Sequence, residues 1–177
     1  LLLKALEEET QISTVEQFDL FAGTSTGSLI ALGLNVHQNE NPLFNISEIV
    51  DIYKTRGADI FSKDCFSWLK NPFGLFSKQY SVKGLKRVLH DYFKEYDLRT
   101  SLKPVLVTSF DVENSQGYLF SSAHAKQNPD ANFSLRKVAR ASCAAPTYFS
   151  PAHVKTTSGK KLSLSDGCFW ALNPAEV

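Results

Sequence analysis

Phe18-Asp19-Leu20-Phe21-Ala22-Gly23-Thr24-Ser25-Thr26-Gly27-Ser28 is the stretch on which the reading of this chain turns. Its first half is a short apolar run, and Gln17 to Ala22 is expected to form a buried strand. Its second half leads into small and apolar residues, with Ser28 to Val36 expected as a helix ending near Gly33-Leu34-Asn35. Between them, Gly23-Thr24-Ser25-Thr26-Gly27 fits G-x-S-x-G, the pattern of a serine carried on a sharp strand-to-helix turn. Glycines suit a backbone that is strained and close to its neighbours. Such a turn exposes the Ser25 hydroxyl at a helix N-terminus, where free N–H groups and the positive dipole end face a reacting carbonyl. A Gly/Ser/Thr turn with no chemistry has the same pattern, so Ser25 needs a partner.

In the usual α/β-hydrolase order an Asp or Glu and then a His follow the serine. The histidines are His37, His90, His124 and His153, and none follows Asp166. His90 falls on an amphipathic helix, His37 and His124 in polar loops, and His153 just after Pro151. Either the base is a histidine beyond Val177, or it is a carboxylate. Asp166 is the carboxylate of choice, because it ends a short strand and precedes Gly167. An Asp-Gly pair also marks an ordinary β-turn. A free Asp, with a pKa of about 3.9, is a weak base. It becomes useful when partly desolvated and hydrogen-bonded directly to the nucleophile.

Working outward, helices are expected from Leu1 to Glu9, Ile46 to Phe61, Ser81 to Tyr96 and Ser134 to Cys143. Pro104 to Phe110 and Gly117 to Ser122 read as strands, Tyr148 to Val154 as strand or extended, and Leu162 to Leu164 as a short strand after a Lys155–Lys161 turn. Asn39 to Asn45 reads as a polar loop. Strands alternating with helices indicate a layered α/β fold with a central, mainly parallel sheet between helices. Phe61 to Tyr80 interleaves aromatics with Lys63, Lys70 and Lys78, around Pro72 and Gly74. Loops and short helical turns are expected there, resting at a membrane surface, covering an acyl pocket or filling the core. Arg136, Lys137 and Arg140 lie on one helix; they could contact phosphate, and the commoner reading is a solvated face.

Composition narrows the classes. At 177 residues, with 43% hydrophobic and 21% charged, the chain suits one ordinary globular domain. A net charge of +1 gives no basic stripe for nucleic acid, so no nucleic-acid partner is expected. Cys65, Cys143 and Cys168 form neither a disulfide framework nor a zinc pattern, and no metal site is expected. No apolar run approaches the roughly 18–20 residues of a membrane-spanning helix. The chain begins Leu1-Leu2-Leu3 and contains no Met, so residues 1–177 are expected to be one domain of a longer protein, truncated at both ends. A cytoplasmic or peripheral-membrane location is expected, with secretion left open. Oligomeric state is not legible.

Three stretches together resemble one family, the patatin-like phospholipases. They are Gly23-Thr24-Ser25-Thr26-Gly27-Ser28 with Phe18-Asp19 ahead of it, Ala139-Arg140-Ala141-Ser142-Cys143-Ala144-Ala145-Pro146-Thr147-Tyr148-Phe149, and Asp166-Gly167-Cys168-Phe169-Trp170-Ala171-Leu172-Asn173-Pro174-Ala175. Their order and spacing match from about Leu1 to Ala175. The resemblance implies a patatin-like layered fold and a Ser–Asp dyad without His, with Ser25 as nucleophile and Asp166 as general base. It implies hydrolysis of phospholipids or related acyl lipids through an acyl-enzyme, with no metal or other cofactor. An esterase or acyltransferase acting on other acyl donors, and a non-catalytic module retaining the fold, are the alternatives. Two departures stand out. The family's glycine-rich oxyanion loop would precede Leu1, leaving the Thr26 N–H as the expected oxyanion donor within this sequence. The family's D-G-G or D-G-A reads Asp166-Gly167-Cys168, and the small Cys168 is expected to be tolerated.

Overall fold

The computed structural model describes residues 1–60 and 82–177. The expected loops and turns over Phe61 to Tyr80 lie outside the described residues. Helices α1 (Leu2–Thr10) and α2 (Thr14–Gln17) precede strand β1 (Phe21–Gly23), which runs into helix α3 (Thr26–Asn35). A two-stranded hairpin, β2 (His37–Gln38) and β3 (Asn41–Pro42), leads to helix α4 (Ile46–Ile60). Helix α5 (Lys83–Phe93), strands β4 (Val105–Asp111) and β5 (Gln116–Ser121), and helices α6 (Ser122–Gln127) and α7 (Leu135–Ser142) follow. The antiparallel hairpin β6 (Ala152–Lys155) and β7 (Lys161–Asp166) comes next, and short 3-10 turns at Gly167–Phe169 and Pro174–Glu176 follow it.

The class is the expected layered α/β, and the central sheet is mixed. Strand β1 pairs parallel with β4, while β5 and β7 pair antiparallel with it and β6 extends the sheet beyond β7. Helices α3 and α7 pack against β4, α5 packs on α7, and α4 packs on α5. Val105, Val107, Phe120, Leu135, Val138 and Leu164 form the buried centre. Helix α5 shows how sequence sets this packing. Leu85, Val88, Leu89 and Phe93 recur at helical spacing and are buried, while Lys86, Arg87 and His90 face out.

The central strand β4 positions the site. Strand β5 covers residues 106–111 along one edge of β4. The opposite edge is shared end to end. Strand β1 pairs with Val105 to Val107, and β7 pairs with Ser109 to Asp111. Because β1 runs with β4 and β7 runs against it, both strands finish facing each other across Thr108. The two endpoints, Gly23 opposite Val107 and Asp166 opposite Ser109, are separated by two strand residues, about 7 Å. Among the described residues no helix is long and apolar enough to cross a membrane.

Several expected boundaries move. The strand expected over Gln17 to Ala22 is confined to Phe21–Gly23, because Thr14–Gln17 winds into α2. There Ser13 donates its N–H and its hydroxyl to the Glu16 carboxylate at 3.3 and 2.7 Å. The polar loop expected from Asn39 contains β3, and the strand expected to include Ser122 ends at Ser121, which accepts the His124 N–H and starts α6. Of the strand or extended segment expected from Tyr148 to Val154, the strand begins only at Ala152 and runs on to Lys155.

Candidate active site

Ser25 sits between β1 and α3 with φ 53° and ψ −124°, a positive-φ conformation that L-residues avoid. Such a backbone costs on the order of 1–3 kcal/mol and persists only where surrounding bonds fix it. Those bonds are present. The Ser25 N–H donates to Ser142 Oγ at 2.9 Å. The Ser25 carbonyl accepts the Ser28 N–H at 2.9 Å and the Ser28 hydroxyl at 2.5 Å. Thr24 donates its hydroxyl to the Ala171 carbonyl at 2.8 Å, so in its 2.7 Å bond with Thr108 the donor is Thr108. Tyr53, from α4, donates to the Thr26 carbonyl at 2.6 Å, and burial pushes its phenol pKa up.

The two motif glycines are not equivalent. A Cβ on Gly23 would lie 2.5 Å from the Gly27 carbonyl oxygen, so the crossing of β1 and α3 excludes any side chain there. A Cβ on Gly27 would meet nothing within 4 Å among the described residues. Gly27 therefore has no described neighbour on its Cβ side, beside the serine.

Asp166 ends β7 and is 3% exposed. Its Oδ2 accepts the Ser25 hydroxyl at 2.7 Å, although the residues are 141 positions apart. Its Oδ1 accepts the Cys168 N–H at 2.9 Å, and its own N–H donates to the Ala144 carbonyl at 3.1 Å. Both carboxylate oxygens are thus oriented. The contact from position 168 is made by main chain, which any residue but proline supplies. Gly167 is required in its place: a Cβ there would overlap Thr108 Oγ1 and come within 2.6 Å of the Thr108 carbonyl oxygen. Desolvation, and then the neighbouring Asp166 carboxylate, push the Cys168 thiol up to about 11. Cys143 is buried behind Ser28, and its thiol is pushed up to about 12, chiefly by desolvation.

The structure therefore brings Ser25, Asp166, Gly23, Gly27 and Gly167 into one site. Thr26 is the first residue of α3, and among the described residues no recorded hydrogen bond engages its N–H. His37, His90, His124 and His153 make no recorded hydrogen bond to Ser25 or Asp166 among the described residues. Sequence reasoning gave no role to Ser142, Thr108 or Tyr53. Ser142 lay inside a quoted motif, and that was the one available signal. Thr108 is an ordinary strand residue until β1 and β7 converge on it.

The family model of patatin-like phospholipases matches residues 2–177. Patatin-like protein 2 of Arabidopsis thaliana is 35% identical over 95% of this chain and 43% of its own length. Patatin-16 of Solanum tuberosum is 28% identical over 93% of this chain and 42% of its own. Probable inactive patatin-like protein 9 of Arabidopsis thaliana is 30% identical over 89% and 41%. The chain thus spans less than half the length of these curated relatives. With a family model matched along nearly all of its length, this chain belongs to the patatin-like phospholipase family.

Proposed function

We propose that this domain is a lipid acyl hydrolase of the phospholipase A or lysophospholipase type, with Ser25 as nucleophile and Asp166 as general base. The observation that carries the reading is the 2.7 Å hydrogen bond in which the Ser25 hydroxyl points its proton at Asp166 Oδ2. That distance and direction are what a base needs to take the proton as the oxygen attacks.

In this reading Ser25 Oγ attacks the acyl carbonyl while Asp166 receives its proton. The Thr26 N–H and the N-terminal end of α3 face the oxygen on which charge develops. The tetrahedral adduct collapses to an acyl-serine, and the departing alkoxide takes the proton from Asp166. Water then attacks the acyl-serine, gives its proton to Asp166, and the fatty acid leaves as Ser25 recovers its hydrogen. The Cys168 N–H holds Oδ1 aside, so Oδ2 alone serves the serine in both halves. No described residue crowds the Cβ side of Gly27, which in this reading leaves the acyl ester room to approach. Immediately after Asp166, Phe169 and Leu172 are 57% and 76% exposed, apolar surface suited to peripheral contact with a lipid aggregate.

A fluorophosphonate probe followed by peptide mapping tests the chemistry. Modification of Ser25, lost in Asp166→Asn, is expected; an intact protein that takes no adduct at Ser25 overturns the reading and favours a non-catalytic module. That alternative has a specific motive, since two similar relatives are named probable inactive. Phosphatidylcholine vesicles separate the substrate classes. Release of free fatty acid is expected, whereas cleavage of short soluble esters alone would favour the esterase or acyltransferase reading.

A further inference from the structure

A second polar feature lies away from the serine. Between α5, α7 and β6 there is a cavity of about 570 Å³ whose lining includes neither Ser25 nor Asp166. Lys86 and His90 reach it from α5, Arg136, Lys137 and Arg140 from α7, and His153 from β6. Among the described residues no aspartate or glutamate lines it. The volume falls within the range of small-ligand sites, roughly 300–1,000 Å³.

The cations around this cavity differ in how they are balanced. Arg136 is neutralised by Glu95, with both carboxylate oxygens at 2.8 Å. Lys86 and Lys137 are exposed and have no recorded carboxylate partner among the described residues. Arg140 is the unusual one. It is only 7% exposed, and no carboxylate meets it among the described residues. Its Nη2 donates to the Ser150 carbonyl at 2.6 Å, and its guanidinium carbon stands 5.6 Å from the centre of the Phe149 ring. Its Nη1 is buried with no hydrogen-bond partner among the described residues. A buried cation left without an anion is costly, and desolvation pulls its pKa below the ordinary guanidinium value. The neighbouring positive charges raise that cost further. A bound anion would offset all three terms: the unmet donor, the desolvated charge and the repulsion among Arg140, Lys137 and Lys86.

We propose that this cavity is an anion site, separate from the Ser25–Asp166 pair, that takes a phosphate-bearing ligand. Its phosphoryl oxygens would lie against the Arg140 guanidinium, with Lys86 and Lys137 closing from α5 and α7. Guanidinium matches the geometry of phosphate oxygens, and the two flexible ammonium groups add charge without demanding one orientation. The ligand is either a soluble phosphorylated compound or a phosphorylated lipid headgroup; both present the same group.

The test uses the full chain and the double variant Lys86→Glu/Lys137→Glu, both changes lying on exposed positions. Thermal unfolding verifies that the variant folds. Calorimetric titration with inorganic pyrophosphate, at constant ionic strength set by chloride, is expected to show saturable binding that the variant weakens at least tenfold. In a parallel arm, the protein is sedimented with phosphatidylcholine vesicles, with and without phosphatidylinositol 4-phosphate. Pyrophosphate binding without vesicle capture identifies a soluble ligand. Capture that needs the phosphoinositide and fails in the variant identifies a lipid headgroup. No saturable pyrophosphate binding together with no phosphoinositide-dependent capture overturns the proposal, and so does binding that the folded variant retains at full strength.

Discussion

The two members of the Ser25–Asp166 pair are held in opposite ways. Ser25 is half-buried and strained, with φ at 53°, and a ring of hydrogen bonds from α3 and α7 keeps it there. Asp166 is relaxed, with φ −56° and ψ 138°, and is fixed by burial, by β-pairing, by the Cys168 N–H donated to Oδ1 and by its own N–H donated to the Ala144 carbonyl. A nucleophile must be exposed enough to meet substrate, so packing cannot hold it and backbone constraint does. A base that moves only a proton can be sealed among its neighbours. The contrast places the stored strain on the residue proposed to form the covalent bond.

The largest expected effect breaks the pair chemically. Ser25→Ala should lower lipid-ester hydrolysis by about 10⁶-fold, the scale seen when a serine nucleophile is removed. Asp166→Asn keeps the shape and a hydrogen-bond acceptor but loses the base, and should cost about 10²–10⁴-fold. Initial rates of fatty-acid release measure both, with folding verified by circular dichroism. Equal and small losses in the two variants would remove the distinction between nucleophile and base.

The next effect tests the elbow against itself, at its two glycines. Gly23→Ala forces a Cβ onto the Gly27 carbonyl and should destabilise the fold by about 2–4 kcal/mol. Gly27→Ala meets no neighbour among the described residues and should stabilise by about 0.4–1 kcal/mol, while narrowing the approach to Ser25 and raising KM. Urea unfolding read alongside Michaelis–Menten curves separates the two. A Gly23→Ala protein as stable as the parent would show that the close crossing is not needed.

A third comparison isolates the strain. Ser25→Gly and Ser25→Ala both delete the hydroxyl bonded to Asp166, so their difference reports the backbone alone. The glycine variant should be the more stable by about 1–2 kcal/mol, because glycine adopts positive φ without penalty. Matched denaturation midpoints would mean that Ser25 is not strained, and the contrast with Asp166 would fail.

Much of this site was legible because its chemistry is written locally. Gly23 to Gly27 and Asp166-Gly167 each carry their own turn signal. The supports were not legible, because they depend on distant register. Thr108 matters only once two strands end on either side of it, and Ser142 only once the end of α7 reaches the Ser25 amide. Arg140 misled for a related reason. Three basic residues on one short helix resemble a solvated face, yet Arg136 pairs with Glu95 and Arg140 turns inward. The helix α2 was readable in principle, since Ser13 and Glu16 have capping spacing, but the apolar run after it dominated the window.

Because β1 and β7 stop on the same edge of β4, their meeting point is measured along that strand and not along the intervening chain. Insertions or deletions between α3 and β4, or between β5 and β6, can lengthen or shorten the 141-residue path without changing where the two ends meet. A single residue inserted within Val107–Ser109 has no such freedom. It would shift one half of the pair by a strand step and turn its side chain to the opposite face of the sheet. Length variation among homologous domains should therefore gather in the connections and be absent from these three positions.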